Sequence, residues 1–178
     1  MNSPVERQEQ VVERRAVSHK GQRGAMQTGP ILVAVDVSWH SHAALLWASR
    51  HAACVDVPLT VLHVVHDPAE APGKYNRYSE NPFTPMADRA TRMLSEFMAE
   101  LRENHPDLKQ LSEADTIVLQ GLPARTIVDE ATRLNASLIV VGSRGHAGAP
   151  RLIFGSTAQK VVQLAPIPVT VVKAAKSS

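Results

Sequence analysis

The sequence predicts an α/β protein with an open, doubly wound parallel sheet of five strands between two layers of helices. Five short apolar segments alternate with helix-compatible segments, as expected of successive strand–helix units. The first apolar segment, residues 31–35, is continuously apolar, which is typical of a strand buried on both faces. Most of the connections are short, and together these observations favour a three-layer α/β/α architecture.

The first two strands and the helix between them are predicted from residues 31–65. The first strand, residues 31–35, is followed by Asp36 at its carboxyl end. Ser38 suits the N-cap of a helix that runs to about Ala53. That helix carries a stripe of small and apolar residues that would pack close to the sheet: Ala44, Leu45, Ala48 and Ala52. Residues 59–65 form the second strand.

The remaining elements follow from breakers and apolar spacing. Residues 67–85 hold four prolines and are predicted to form a long loop. Apolar residues then recur at helical spacing from Met86 until His105-Pro106 ends the helix. The later segments are a strand at 116–119, a helix from Pro123, a strand at 137–141, a helix at 158–165 and a strand at 169–172.

Two chemical features follow strands that would be neighbours. In the strand order 3-2-1-4-5 of flavodoxin-like and Rossmann-like sheets, strands one and four lie side by side where the order reverses, and ligands bind there. Asp36 follows strand one and Gly142 follows strand four, so both are expected to face one crevice.

The segment after strand four is rich in glycine and leads into a helix. Gly142, Gly145 and Gly155 are followed by Ser156 and Thr157. Glycines let backbone N–H groups approach an anion, and a helix N-terminus presents unpaired N–H groups, so this segment suits phosphate. We expect the N–H of Gly155 to point at the phosphates and the two hydroxyls to lie at the helix cap. The loop is neither a P-loop, since it lacks Gly-Lys-Ser/Thr, nor a dinucleotide fingerprint.

The spacing G-x2-G-x9-G-S-T resembles the nucleotide-binding signature of the ATP-binding branch of the universal stress protein family. The resemblance covers about residues 29–174 and extends to the ends of strands one and two and to residues 166–172. It implies ATP as ligand, with Mg²⁺ or Mn²⁺ possible through the phosphates. It also implies that Asp36 contacts the nucleoside and that the backbone of Val64 meets adenine. Arg144 joins the candidate set by its place in the loop alone. The candidate nucleotide-binding residues are therefore Asp36, Val64, Gly142, Arg144, Gly145, Gly155, Ser156 and Thr157.

The resemblance further implies a cytoplasmic stress-response module that forms a homodimer through the fifth strand, from Val169 to Val172. One alternative is a binder of another adenine nucleotide such as cyclic AMP. Another is an enzyme of related architecture. Enzymes that cleave ATP between the α and β phosphates usually carry Ser-Gly-Gly-x-Asp-Ser after strand one, and residues 36–41 lack the glycines. No catalytic residue is assigned, and any hydrolysis of ATP should be slow; His146 is the one candidate base in the loop. A family member that binds no nucleotide is the last alternative.

Composition limits the remaining possibilities. Residues 29–174 are expected to form one domain, preceded by a disordered or weakly helical extension at 1–28 and followed by a polar tail at 175–178. The net charge of +2 arises within the first 30 residues, so the domain has no excess positive charge for nucleic acid. No apolar run is long enough to span a membrane. The single cysteine, Cys54, excludes an internal disulfide and is predicted to be a core thiol in a reducing cytosol. The spacing of the histidines suggests no protein metal site.

Overall fold

The computed structural model describes residues 29–66, 85–145 and 154–174. The predicted extension at 1–28, most of the predicted loop at 67–85, residues 146–153 and the tail at 175–178 lie outside the described residues. Ten elements follow one another along the chain: β1 (Ile31–Ala34), α1 (Trp39–Val55), β2 (Leu59–Val65), α2 (Met86–Asn104), α3 (Lys109–Ser112), β3 (Asp115–Gln120), α4 (Pro123–Arg133), β4 (Leu138–Gly142), α5 (Ser156–Leu164) and β5 (Val169–Val172).

The five strands form one parallel sheet in the order β3-β2-β1-β4-β5, which confirms the predicted fold class and strand order. Strand β1 is central, with Ala34 opposite Leu62 of β2 and Val141 of β4. The strand order reverses between β1 and β4. The carboxyl ends of these two strands therefore meet at the edge where ligands bind in doubly wound sheets.

The helices cover both faces of the sheet. Helices α1, α2 and α3 pack on one face through a core that includes Leu45, Phe97 and Leu111. Helices α4 and α5 pack on the other face around Ile127 and Val161. Right-handed crossovers explain this division, because β2 and β3 are added on one side of β1 while β4 and β5 are added on the other.

The local differences from the sequence prediction are small, apart from one side chain. Strand β1 ends at Ala34, one residue before the predicted end, and the one-turn helix α3 was not predicted. Cys54 is exposed, so the prediction of a core thiol is wrong. Cys54 follows the buried Ala52 by two positions, and about 200° around a helix carries it to the solvent face.

Among the described residues, no helix combines the length and the apolar composition that a bilayer crossing requires.

Candidate functional site

Asp36 and the glycine segment meet at the point where the strand order reverses. A Cβ atom built on Gly145 would lie 2.5 Å from the Oδ2 atom of Asp36. Since real Cβ atoms do not approach an oxygen so closely, the glycine makes room for the carboxylate. Asp36 is half-buried, and so is Gly145. The sequence places these two residues more than 100 positions apart, and the sheet topology brings them into contact.

The turn between β1 and α1 holds Asp36 in place. The Oδ1 atom of Asp36 accepts a hydrogen bond from the N–H of Ser38 at 3.0 Å. Ser38 is the N-cap of α1, as predicted, and its Oγ accepts a bond from the N–H of Ser41 at 3.3 Å. Val37, between Asp36 and Ser38, has a φ of 65°. This left-handed conformation costs a β-branched residue about 1–3 kcal/mol. Strain of this kind persists where surrounding contacts fix the backbone.

Gly142 allows α1 to start against the end of β4. A Cβ atom on Gly142 would lie 2.9 Å from both the carbonyl carbon and the carbonyl oxygen of His40. Because these are backbone atoms of the first turn of α1, they cannot move away without shifting the helix. The glycine therefore has a packing role in the protein itself, whatever it contributes to a ligand.

The two ends of the glycine segment are joined by a hydrogen bond. The N–H of Gly155 donates to the carbonyl oxygen of Ser143 at 2.8 Å, and the N–H of Ser143 donates to Val172 in β5 at 2.8 Å. The prediction that the N–H of Gly155 points at phosphates is therefore wrong. The donor is already used within the protein, and this bond sets the distance between β4 and α5.

The start of α5 offers backbone donors at Ser156 and Thr157, but not at Gly155. Gly155 is the N-cap, with no side-chain cap, and the first bond within the helix runs from Gln159 to the Gly155 carbonyl at 3.1 Å. Ser156 and Thr157 are thus the first two helical residues, so their hydroxyls lie in the first turn of α5, next to the N-cap residue Gly155. Within residues 29–66, 85–145 and 154–174, no oxygen accepts their N–H groups. Such donors at a helix N-terminus suit an anion.

The backbone groups of Val64 face the β1 side of β2. The N–H of Val35 in the β1–α1 connection donates to the Leu62 carbonyl at 2.9 Å, so even-numbered residues of β2 direct their backbone groups toward β1. Val64 continues this alternation beyond the last residue of β1. The carbonyl that would be its next partner, that of Val35, is instead 2.7 Å from the Nδ1 atom of His63. The only sequence signal for this bond is a polar residue, His63, within an apolar strand.

Arg144 is the remaining candidate residue that the structure describes. Arg144 is half-buried, and its Cα would be 3.5 Å from a Cβ atom on Gly155, so it borders the bond that joins the ends of the segment. His146 lies outside the described residues. Among the residues that are described, no three His, Cys, Asp or Glu side chains converge in a way that could hold a metal ion. The crevice combines a carboxylate acceptor, a backbone edge and helix N-terminal donors, which together can bind a polar, anionic small molecule.

Known proteins with similar sequences and structures point to one family. The profile of the universal stress protein family matches residues 28–173. Stress response protein NhaX of Bacillus subtilis is 32% identical over 167 residues, covering 80% of this chain and 96% of that protein. A universal stress protein of Thermus aquaticus is 33% identical over 143 residues, covering 80% of this chain and 97% of that protein.

Among solved structures, the universal stress protein of Archaeoglobus fulgidus in complex with dAMP superimposes with a TM-score of 0.56. It is 26% identical in sequence, and the alignment covers 82% of this chain and 98% of that one. The family profile covers more than half of the chain, and the sheet order agrees with a doubly wound fold. The chain belongs to the universal stress protein family.

Proposed function

We propose that this protein is a regulatory module of the stress response that binds ATP in the crevice between β1 and β4. The observation that carries the proposal is the contact between the Asp36 carboxylate and Gly145. This contact puts a hydroxyl-binding group beside the glycine segment, at the position where doubly wound sheets bind nucleotides.

Each part of ATP has a matching group. The backbone N–H and C=O of Val64 form one donor and one acceptor, as the edge of adenine requires. The carboxylate of Asp36 accepts hydrogen bonds from ribose hydroxyls. The phosphates lie against the N–H groups and hydroxyls of Ser156 and Thr157 at the start of α5. Gly142, Gly145 and Arg144 complete the proposed set, and Gly155 holds the start of α5 against Ser143. Mg²⁺ or Mn²⁺ would enter with the phosphates, since such ions commonly keep few protein ligands in nucleotide sites.

The proposal includes slow turnover at most. Rapid phosphoryl transfer needs a group that positions the nucleophile and charges that stabilise the transferring phosphoryl group. Asp36 is proposed to bind the ribose, so it is not assigned a role at the phosphates. No residue is assigned a catalytic role, and steady-state turnover should stay well below the roughly 1–100 per second of kinases.

A second candidate ligand is an adenine nucleotide with one phosphate, including cyclic AMP. The observation that favours it is the relative from Archaeoglobus fulgidus, whose structure contains dAMP. The groups proposed for adenine and ribose would serve this ligand as well. The two candidates differ in how much affinity the start of α5 contributes.

We also propose that two copies pair through β5 and that the protein acts in the cytoplasm. Strand β5 pairs with β4 on one side, and the described residues provide no strand for its other edge. The side chains from Val169 to Val172 are half-buried, as expected of a sheet edge that a second copy could cover.

The test combines a search for a co-purified ligand with titration calorimetry. Mass spectrometry should find an adenine nucleotide on the purified protein, and ATP should bind more tightly than GTP, dAMP or cyclic AMP. Asp36→Ala should lower the affinity for ATP about tenfold or more, since hydrogen bonds to a charged group contribute roughly 1.5–3 kcal/mol.

Asp115→Ala is the matched control. Asp115 is exposed at the start of β3, at the opposite end of the strands from the crevice. This variant should bind ATP as the wild type does. Equal affinities for ATP and GTP, or tighter binding of cyclic AMP than of ATP, would contradict ATP as the ligand.

A further inference from the structure

His63 is a buried histidine that contacts the backbone of the neighbouring strand. Its side chain is 1% exposed, and its Nδ1 atom lies 2.7 Å from the carbonyl oxygen of Val35, a residue 28 positions earlier. A carbonyl oxygen can only accept a hydrogen bond, so Nδ1 carries the proton and donates it. The imidazole therefore takes up the carbonyl of the first residue after β1.

The same carbonyl would otherwise extend the ladder between β1 and β2. Hydrogen bonds run from Ile31 N–H to the Pro58 carbonyl and from Val35 N–H to the Leu62 carbonyl, both at 2.9 Å. In a parallel ladder the next bond would run from the N–H of Val64 to the carbonyl of Val35. That bond is absent, and no carbonyl of the described residues accepts the N–H of Val64. On the other edge of β2, by contrast, pairing continues as far as the bond between Gly121 and Val65.

We infer that His63 is a positioning residue that draws the Val35 carbonyl out of the sheet and so leaves the backbone of Val64 open to the base of a nucleotide. The inference rests on the proposed function for the identity of the ligand, but not for the arrangement of the backbone. Nucleotide preference is then decided partly by a side chain that need not touch the nucleotide.

The strained turn beyond Val35 agrees with this role. Val37 has a φ of 65°, and Asp36 and Ser38 on either side of it are joined by a hydrogen bond of 3.0 Å. The chain thus leaves the direction of β1 immediately after Val35. The bond from His63 fixes the residue at which the chain leaves the direction of β1. The position of the Asp36 side chain depends on the same residue.

Two variants separate the effect of the donor from the effect of volume. His63→Leu fills the space but cannot donate, so the Val35 carbonyl should turn back to the N–H of Val64. His63→Asn keeps an N–H donor near the position of Nδ1. We expect His63→Leu to lower ATP affinity about tenfold or more while GTP affinity stays within about twofold, because the groups at the phosphate end are unchanged. His63→Asn should restore most of the preference for ATP.

Amide hydrogen exchange of the full-length, ligand-free protein, followed by NMR, is the direct measurement. In the wild type, the amide of Val64 should exchange at least about tenfold faster than that of Leu62, which lies within the ladder on the same strand. In His63→Leu, the Val64 amide should become protected. This comparison needs no nucleotide, so it tests His63 even if ATP proves not to be the ligand.

Three results would overturn the inference. The first is equal protection of the Val64 and Leu62 amides from exchange in the wild type. The second is an unchanged exchange rate of the Val64 amide in a folded His63→Leu protein. The third is an equal preference for ATP over GTP in the wild type and His63→Leu. The first needs no variant and stands even if His63→Leu fails to fold. Absence of nucleotide binding by the wild type, with the predicted exchange pattern, would refute the proposed function and leave the role of His63 in the sheet intact.

Discussion

Asp36 lies so close to Gly145 that a Cβ atom on the glycine would be 2.5 Å from the Oδ2 atom of the carboxylate. The neighbour is the tip of a side chain, which can rotate away from an added methyl group. The fold should therefore accept alanine at this position, whereas the direction of the Asp36 carboxylate should change.

Gly145→Ala should weaken ATP binding about tenfold with little change in stability, because it displaces the carboxylate proposed to hold the ribose. A double-mutant cycle measured by calorimetry tests the cause. If the alanine acts through Asp36, Gly145→Ala should have no further effect in a protein that already carries Asp36→Ala. Additive losses in the double variant would show that Gly145 acts independently of Asp36.

Gly142→Ala should have the opposite profile, a loss of stability. Its added methyl group would meet the backbone of His40 at 2.9 Å, and relief requires movement of the first turn of α1. Overpacking of this kind typically costs about 1–3 kcal/mol. Urea unfolding should show a lower free energy of unfolding for Gly142→Ala than for Gly145→Ala. Wild-type stability in Gly142→Ala would mean that α1 can shift without cost.

Stability should fall as the pH is lowered through the range in which histidine titrates, and His42 should be one source. Burial lowers the pKa of His42 from its usual value of 6.5, and the charge of His105 lowers it further, against a smaller opposing effect of Glu100. Below pH 6.5 the unfolded chain therefore binds a proton that the folded protein does not, and this disfavours folding. The loss begins near pH 6.5 and is complete once the pH is below the lowered pKa.

Urea unfolding at about pH 7.5 and about pH 5 measures this contribution. His42→Gln cannot be protonated, so it should lose less stability than the wild type between the two conditions. His105→Gln should fall between them, because burial, the larger cause, remains. An equal loss in the wild type and His42→Gln would contradict the role of His42.

The edge of β5 can be blocked without breaking its pairing with β4. The carbonyls of Pro168 and Val172 accept bonds from the β4 side, from Ile139 and Ser143, so the N–H of Val171 points outward. Val171→Pro removes only that outward donor and should convert a dimer to a monomer, since proline is tolerated at sheet edges. Light scattering should measure the molar mass of each protein at about tens of micromolar, a concentration at which a dimer of micromolar affinity is populated.

Thr170→Pro provides the contrast. The N–H of Thr170 points toward β4, so this variant should lose stability as well as dimerisation. A Val171→Pro protein that remains dimeric, or a wild type that is monomeric, would exclude pairing through β5.

The fold could be predicted because it depends mainly on local sequence patterns. Five apolar segments and their connections are visible in the sequence, and the reversal of strand order follows from them. The errors arise from contacts between distant residues. The bond from Gly155 to Ser143 closes across the whole glycine segment, and that from His63 reaches 28 residues back. Neither has a signal in spacing or composition. Cys54 was predicted to be buried because its neighbours are small and apolar, but its position in the helix turns it to the solvent face.

The hydrogen bond between Gly155 and Ser143 fastens the start of α5 directly to the end of β4. The N–H of Ser143 anchors the same point to β5. Lengthening a closed loop costs only about 0.6 kcal/mol for each doubling of its length. A longer segment in place of residues 146–153 should therefore leave α5 and β5 where they are.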